Sequence, residues 1–370
     1  MKITKLKLVN FRNYSKLDIS FDNNMNIFIG DNAQGKTNVL EAIVILALTK
    51  SHRDGVNQNI IMFNKNKCKI SGTIRNEDII NKLNISISPE EKQLNINNTI
   101  IKKVADYISY LNIIVFTPDD IEIIKGSPGV RRNLLNIQLS QLSREYLKIY
   151  NEYNKLLKTR NEYLKILFNN NIADNNYLDI ITDKLIEKAI YIYLKRNEYI
   201  NLVNLNINRL YNEMGENSTL SVEYTTNVVF DNFDIENIRK KLKYTYKKNY
   251  MKELNNGMTI YGPHRDDFYF KYNDKDLKYF GSQGQQKLAV LSLKLSEISI
   301  FKDISGTSPI LLFDDVFSEL DIKKRNKLLK IINENETQSI ITTTDLKNIN
   351  KKYIDKSAVF IVKNGVVERK

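Results

Sequence analysis

A glycine-bearing turn between a short apolar strand and an apolar helix constrains this chain more than any other feature. Met25-Asn26-Ile27-Phe28-Ile29 reads as a strand, Gly30-Asp31-Asn32-Ala33-Gln34-Gly35-Lys36-Thr37 follows without a gap, and Asn38 to Leu48 reads as a helix. The spacing and context are those of a phosphate-binding P-loop. Its glycines let backbone N–H groups curl around phosphate oxygens. Lys36 reaches the β- and γ-oxygens, and Thr37 places its hydroxyl on Mg²⁺ at a helix N-terminus. A P-loop alone leaves kinases, GTPases, transport ATPases and DNA-repair ATPases open.

The other end of the chain narrows the choice. Pro309-Ile310-Leu311-Leu312-Phe313-Asp314-Asp315 is a continuous apolar run ending in two acids, the pattern of a buried parallel strand that delivers carboxylates at its C-terminal end. Asp314 is expected to hold Mg²⁺ and Asp315 to orient or deprotonate the attacking water. Upstream, Gly281-Ser282-Gln283-Gly284-Gln285-Gln286 opens an amphipathic helix from Lys287 to Phe301. A hydroxyl, a flexible glycine and free helix N–H groups make a second phosphate-contacting site. One nucleotide does not need two such sites from one chain. The economical arrangement sandwiches the nucleotide between two protomers.

The P-loop lies near residue 30 and the acidic strand near 314, so the nucleotide-binding head must be built from both ends of the chain. The expected fold is α/β: a P-loop ATPase head with a mixed sheet, split in sequence by an inserted α-helical lobe. Residues 1–120 supply its N-terminal part, 121–255 the lobe and 256–370 its C-terminal part. Ile70 to Ile74, Leu83 to Ile87 and Gln93 to Ile96 alternate as strands of an antiparallel sheet beside the main one. In the lobe, Ser127 is a candidate N-cap before Pro128. Leu135, Leu142, Ile149, Leu156 and Tyr163 recur every seven residues, with Leu139, Tyr146, Tyr153 and Leu167 on the neighbouring seam. A second run carries Ile186, Tyr193, Ile200, Ile207 and Met214, joined by Ala189, Val203 and Leu210. Two antiparallel helices zipped along these seams make a short arm. Arg144, Lys148, Lys155, Lys158, Arg160 and Lys165 then form an outer face, a candidate for phosphate contact.

Composition supports a soluble, internal protein. With 370 residues, 42% of them hydrophobic, the chain has material for more than one core. The single cysteine, Cys68, cannot form an intramolecular disulfide, which fits a reducing, cytoplasmic location. The apolar stretch from Val39 to Leu48 is about half the ~20 residues that a membrane-spanning helix needs. The formal charge of +13 suits a polyanionic partner, although abundant Lys, Asn, Ile and Tyr would also follow from AT-rich codon usage. The two histidines, His52 and His264, lack the neighbours of a zinc site. In Gly262-Pro263-His264-Arg265-Asp266-Asp267, the two acids are expected to brace a turn, and Lys125, Arg131 and Arg132 to flank the hinge into the lobe.

Asn10-Phe11-Arg12-Asn13-Tyr14, the P-loop, Ser282 to Gln286, and Phe313-Asp314-Asp315-Val316-Phe317-Ser318-Glu319-Leu320-Asp321 together resemble the ABC-type, SMC-like ATPases of chromosome maintenance and repair. Pro118 to Arg132 and Gly262 to Asp267 resemble segments of the gap-repair members. The resemblance implies that ATP is the nucleotide and that Arg12 and Asn13 lie on it. It also implies that Ser282, Gln283, Gly284 and Gln285 touch the γ-phosphate of a partner protomer, and that Ser318 to Asp321 link the two sites. It further implies a weak DNA-stimulated ATPase used as a switch, an ATP-dependent homodimer on single-stranded gaps and double-stranded DNA, and the proteins RecO and RecR as partners, with RecA recombinase acting downstream. Thr342-Thr343-Thr344 stands where transporters of this class carry a switch histidine, and no Gln lies between Ile113 and Asp120 where they carry a lid glutamine. A transport ATPase subunit and a stand-alone P-loop kinase or GTPase are the alternatives.

Overall fold

The computed structural model describes all of residues 1–370 except 22, 23, 54, 171–175, 347 and 348. Its strands are β1 (Lys2–Phe11), β2 (Tyr14–Ser20), β3 (Met25–Ile29), β4 (Cys68–Asn76), β5 (Ile79–Ile87), β6 (Lys92–Ile96), β7 (Thr99–Ile101), β8 (Ile113–Phe116), β9 (Leu220–Thr225), β10 (Asp267–Tyr272), β11 (Lys275–Asp276), β12 (Ile310–Asp314), β13 (Ser339–Thr343), β14 (Ala358–Lys363) and β15 (Val366–Arg369). The chain divides into two compact units. One comprises Met1–Ile121, Arg209–Asn217 and Lys287–Lys370, and the other Glu122–Asn208 and Ser218–Gln286.

The first unit is the expected split head. One sheet runs β15-β14-β3-β13-β12-β8, parallel except for the β15 edge. A second, antiparallel sheet runs β2-β1-β4-β5-β6-β7 and contains all three alternating stretches. The helix Lys36–Leu48 is buried on nearly every side, including Val39, Leu40 and Ala42 to Ala47, as an all-round apolar helix must be. It shares one core with both sheets. Gln338 ties the sheets at their backbones, accepting from Ile3 N at 2.8 Å and donating to Ile3 O at 2.9 Å. β13 lies between β3 and β12, so the P-loop and the acidic pair leave the same carboxyl edge, where ligands bind in such sheets.

The second unit places the sheet β11-β10-β9 with the helices Pro128–Leu142, Arg144–Asn170, Ile235–Lys248 and Tyr250–Asn256 and most of the long helix Asn176–Glu213. The unit boundary expected after residue 255 falls at Gln286, because β10 pairs along its length with β9 and carries residues 256–286 into the helical unit. The first heptad run is also two helices rather than one. Ser143 is extended, and its hydroxyl accepts from Tyr146 N at 3.1 Å, capping a new start. Past the restart the neighbouring seam is the buried one, as expected at Tyr146, Tyr153 and Leu167 and with Arg160 in the same heptad phase as Leu139, while Leu142, Ile149, Leu156 and Tyr163 are half-buried. In the second run every expected seam residue is buried, and Arg196 fills the position between Ala189 and Val203.

Arg160 and Arg196 are therefore core residues, and Arg160 leaves the expected phosphate-contact face. Arg160 is paired with the buried Glu253 at 2.7 Å and donates to Thr182 and Thr259 hydroxyls. Arg196 pairs with the buried Asp266 at 3.2 Å and donates to Pro263 O. Each guanidinium meets a carboxylate and further polar partners at all three nitrogens, which is the condition for keeping a charge inside a helical core.

Candidate nucleotide site

The turn between β3 and the first helix owes its shape to two left-handed residues, Ala33 (φ 64°) and Gly35 (φ 111°). A Cβ at Gly35 would stand 2.6 Å from Asn13 Nδ2, so only glycine fits there. Asn13 donates to Gln34 O at 3.2 Å and accepts from Asn38 at 2.8 Å, while Tyr14 OH donates to Gly35 O at 3.0 Å. The tight turn Asn364-Gly365, both residues at positive φ, holds the opposite side of the loop. Asn364 N donates to Gln34 Oε1 at 2.6 Å and Gly365 N to Gln34 O at 3.2 Å. That Asn-Gly hairpin between β14 and β15 supports the loop from outside the P-loop motif, and the dipeptide itself signals a turn.

Lys36 is 7% exposed and curls over the loop, donating to Gly30 O at 2.6 Å and Asp31 O at 2.7 Å. Burial lowers its ammonium from the ordinary value, opposed by Asp315 and Asp314. Thr37 Oγ1 donates to Asp314 Oδ1 at 2.8 Å, and Thr342 Oγ1 donates to the same oxygen at 2.8 Å while accepting from Asp315 N at 3.1 Å. Asp315 has a left-handed backbone (φ 52°), and its buried Oδ1 makes no hydrogen bond among the described residues. Burial raises its carboxyl, with Lys36 opposing.

These residues line a cavity of about 330 Å³ that includes Asn32, Lys36, Thr37, Asp314, Asp315 and Thr342. No group of three or more His, Cys, Asp or Glu that could hold a metal occurs among the described residues. A hydroxyl and one carboxylate sharing a hydrogen bond suit Mg²⁺, which takes one or two protein oxygens and completes its shell with phosphate oxygens and water.

Arg53 lines this cavity and the adjoining one of about 900 Å³ that also contains Arg12 and Asn13. Arg12 itself is turned to Glu41: Nε and Nη2 donate to its two oxygens at 3.0 and 2.7 Å, and Nη1 donates to Asn59 O at 2.6 Å. Glu41 is buried, which works to raise its carboxyl, yet hydrogen bonds from Arg12 and Ser51 hold it below the usual carboxylate range.

Ser282 to Gln285 belong to the second unit. Ser282 Oγ accepts from Gln285 N at 3.3 Å and Gln285 Oε1 accepts from Ser282 N at 2.9 Å, a reciprocal capping box at the start of the helix Gln283–Ser305. Ser282, Gln283 and Gly284 are exposed, as are Tyr279 and Phe280 beside them.

Apart from the exposed Arg265, the Gly262–Asp267 segment is a buried or half-buried hub. His264 Nε2 donates to Thr259 O at 3.1 Å, which leaves Nδ1 to accept from Tyr153 OH at 2.6 Å. Asp266 also accepts from Tyr224 OH, and Arg132 donates to Asp266 O at 2.7 Å. Arg131 is bound by Asp267 through two bonds of 2.6 and 2.8 Å. Arg131 and Arg132 thus brace this turn, and His264 is no metal or acid–base centre.

The sequence profile of the RecF/RecN/SMC N terminal domain matches residues 2–368. The DNA replication and repair protein RecF of Latilactobacillus sakei is 37% identical over 99% of this chain and 98% of its own length. That of Halalkalibacterium halodurans is 38% identical over the whole of both chains. A solved structure of the recombination mediator protein RecF-ATP in the RecFOR pathway superposes with a TM-score of 0.90 at 30% identity, covering 100% of this chain and 99% of that one. The Smc head domain of Pyrococcus furiosus shares the fold, with a TM-score of 0.58 at 16% identity and coverage of 100% and 95%. The chain belongs to the RecF/RecN/SMC N-terminal domain family, and within it to the RecF proteins.

Proposed function

We propose that the chain is an ATP-dependent DNA-binding protein of recombinational repair and replication restart, closing as a homodimer on single-stranded gaps and single/double-strand junctions. The observation that carries this is the Thr37–Asp314–Thr342 cluster at the mouth of the P-loop, with Asp315 beside it. It joins a phosphate cradle to an acidic strand end in a chain whose relatives are named for DNA replication and repair. Lys36 and the loop N–H groups hold the phosphates, Thr37 and Asp314 hold Mg²⁺, and Asp315 takes the proton of the attacking water. When bound there, Mg²⁺ would neutralise charge on the phosphates. The exposed Ser282–Gly284 end of the second unit is free to complete the site of another copy. Hydrolysis is slow and acts as a timer. RecO and RecR engage the closed form so that RecA is loaded, and SOS induction follows.

DNA binding measured against salt, with and without ATP, tests this reading. A log–log slope of about −3 or steeper that appears only with ATP is expected, from several phosphates neutralised together. Sedimentation giving the same oligomer with and without ATP, across concentrations spanning any dimer constant, overturns ATP-dependent dimerisation.

A further inference from the structure

The helix Ile235–Lys248 buries Ile238, Leu242 and Tyr246 and turns an unusually basic surface outward. From Asn237 to Lys252 the sequence has no Asp or Glu, yet it carries Arg239, Lys240, Lys241, Lys243, Lys247, Lys248 and Lys252. Acids from neighbouring segments meet only some of these. Arg239 is bound by Glu187 at 2.9 Å, Lys241 by Asp231 at 3.0 Å and Lys243 by Asp183 at 3.0 Å. Lys247 shares a cavity with Asp179 and Asp183. Lys240 and Lys248 are exposed and form no ion pair among the described residues. They stand at i and i+8, with Tyr244 at i+4, so the three form one stripe along the helix. Tyr244 is 63% exposed, and Lys248 Nζ lies 5.7 Å from its ring centroid.

Codon bias scatters lysines along a chain. It does not account for a stretch in which Glu187, Asp231 and Asp183 bind the flanking cations while Lys240 and Lys248 form no ion pair among the described residues on either side of an exposed aromatic ring. We propose that this stripe is a contact for single-stranded nucleic acid, in which Lys240 and Lys248 neutralise backbone phosphates and Tyr244 stacks on an unpaired base. Lys240 and Lys248 are about 12 Å apart along the helix axis, a span of a few nucleotides. A cation–aromatic–cation order matches a polymer that alternates phosphate and base. An acidic protein segment would use the two lysines and leave the ring idle. The surface rests on the DNA-binding reading above.

The test uses the full chain with ATP and fluorescence anisotropy on gapped DNA and on blunt duplex, across a salt series. For the double variant Lys240→Gln/Lys248→Gln, affinity for gapped DNA is expected to fall about tenfold and the log–log salt slope to flatten by about two. For Tyr244→Ala, gapped DNA is expected to bind about 5- to 100-fold more weakly while blunt duplex is unaffected. Lys240→Arg/Lys248→Arg should restore binding, and DNA-free ATP turnover should match wild type in every variant, which reports folding. Unchanged affinity and slope in the Gln double variant, with wild type binding DNA, overturn this surface alone. A wild-type chain that binds no DNA overturns both this surface and the reading it rests on. If polyglutamate binding is lost in the double variant while DNA binding persists, the stripe belongs to an acidic protein and the proposal fails.

Discussion

Thr37 Oγ1 donates to Asp314 Oδ1 at 2.8 Å although the two residues are 277 positions apart. The bond closes the split head at the point where a metal would sit, and Thr342 fixes the same carboxylate oxygen from the strand between them. Asp314→Asn keeps the shape but removes the charge that a cation needs. Nucleotide binding in Mg²⁺ should weaken by about tenfold and turnover by at least about 100-fold. Titration with a fluorescent ATP analogue, with Mg²⁺ and with EDTA, checks it: the variant should lose the difference between the two. Lys36→Arg should bind ATP yet hydrolyse none of it.

On the proposed reading, Asp315 acts in the chemistry and not in nucleotide binding. Its backbone is left-handed, a conformation that Asn tolerates as well as Asp. Asp315→Asn should therefore fold with stability within about 0.5 kcal/mol of wild type, bind ATP normally and turn over about 100-fold more slowly. Burial raises the wild-type carboxyl above its ordinary value. A base works only when ionised, so turnover should fall as pH drops through a pKa higher than that of a free aspartate. The acid limb should vanish from the residual activity of the variant. An identical acid limb in Asp315→Asn would assign the base elsewhere.

The parts of this molecule legible in the sequence are those fixed by contiguous spacing. The P-loop, the apolar strand ending in Asp314-Asp315 and the alternating strands β4, β5 and β6 each carry a local period or motif, and each forms where expected. What local patterns hide is long-range compensation. Arg160 and Arg196 sit on the heptad seams, where a guanidinium reads as a surface residue, because their acids, Glu253 and Asp266, come from segments 93 and 70 positions away. The register of the first seam was hidden for a different reason. Ser143 looks tolerable inside a helix, but its hydroxyl captures Tyr146 N and starts a second helix, beyond which the seam of Leu135 is only half-buried. The resemblance implies Arg12 on the nucleotide, and no local pattern shows that Glu41, inside the following helix, holds its guanidinium beside the cavity.

The Arg160–Glu253 pair should behave as a buried ion pair whose halves are worth little apart. Both side chains are almost wholly buried, and Glu253 Oε1 also accepts from Ile260 N at 2.8 Å. Glu253→Gln or Arg160→Met leaves one charge without its partner and should cost about 3–5 kcal/mol. The double change Arg160→Met/Glu253→Leu removes both charges and should recover a large part of that loss. Urea unfolding of the four proteins in a double-mutant cycle gives the coupling. Additive losses would mean that the pair contributes only packing.

His264 should make the helical unit sensitive to acid. Burial lowers its imidazole to about 4, and the carbonyl of Thr259 and hydroxyl of Tyr153 fix a neutral ring. Unfolded, the same group binds a proton near pH 6.5. Between these values the unfolded chain holds a proton that the native chain does not, so this contribution is fully present above about pH 6.5 and is lost as pH falls toward 4. Asp266, whose carboxyl burial raises to about 7, works in the opposite direction, since its native form binds the extra proton below that value. Comparing wild type with His264→Gln cancels the Asp266 contribution to first order. The stability advantage of wild type over the variant should shrink by at most about 1.4 kcal/mol per pH unit between pH 6.5 and 4. Chemical denaturation at half-unit pH steps measures the gap, and a gap constant across that window would show that His264 is protonated in the native fold.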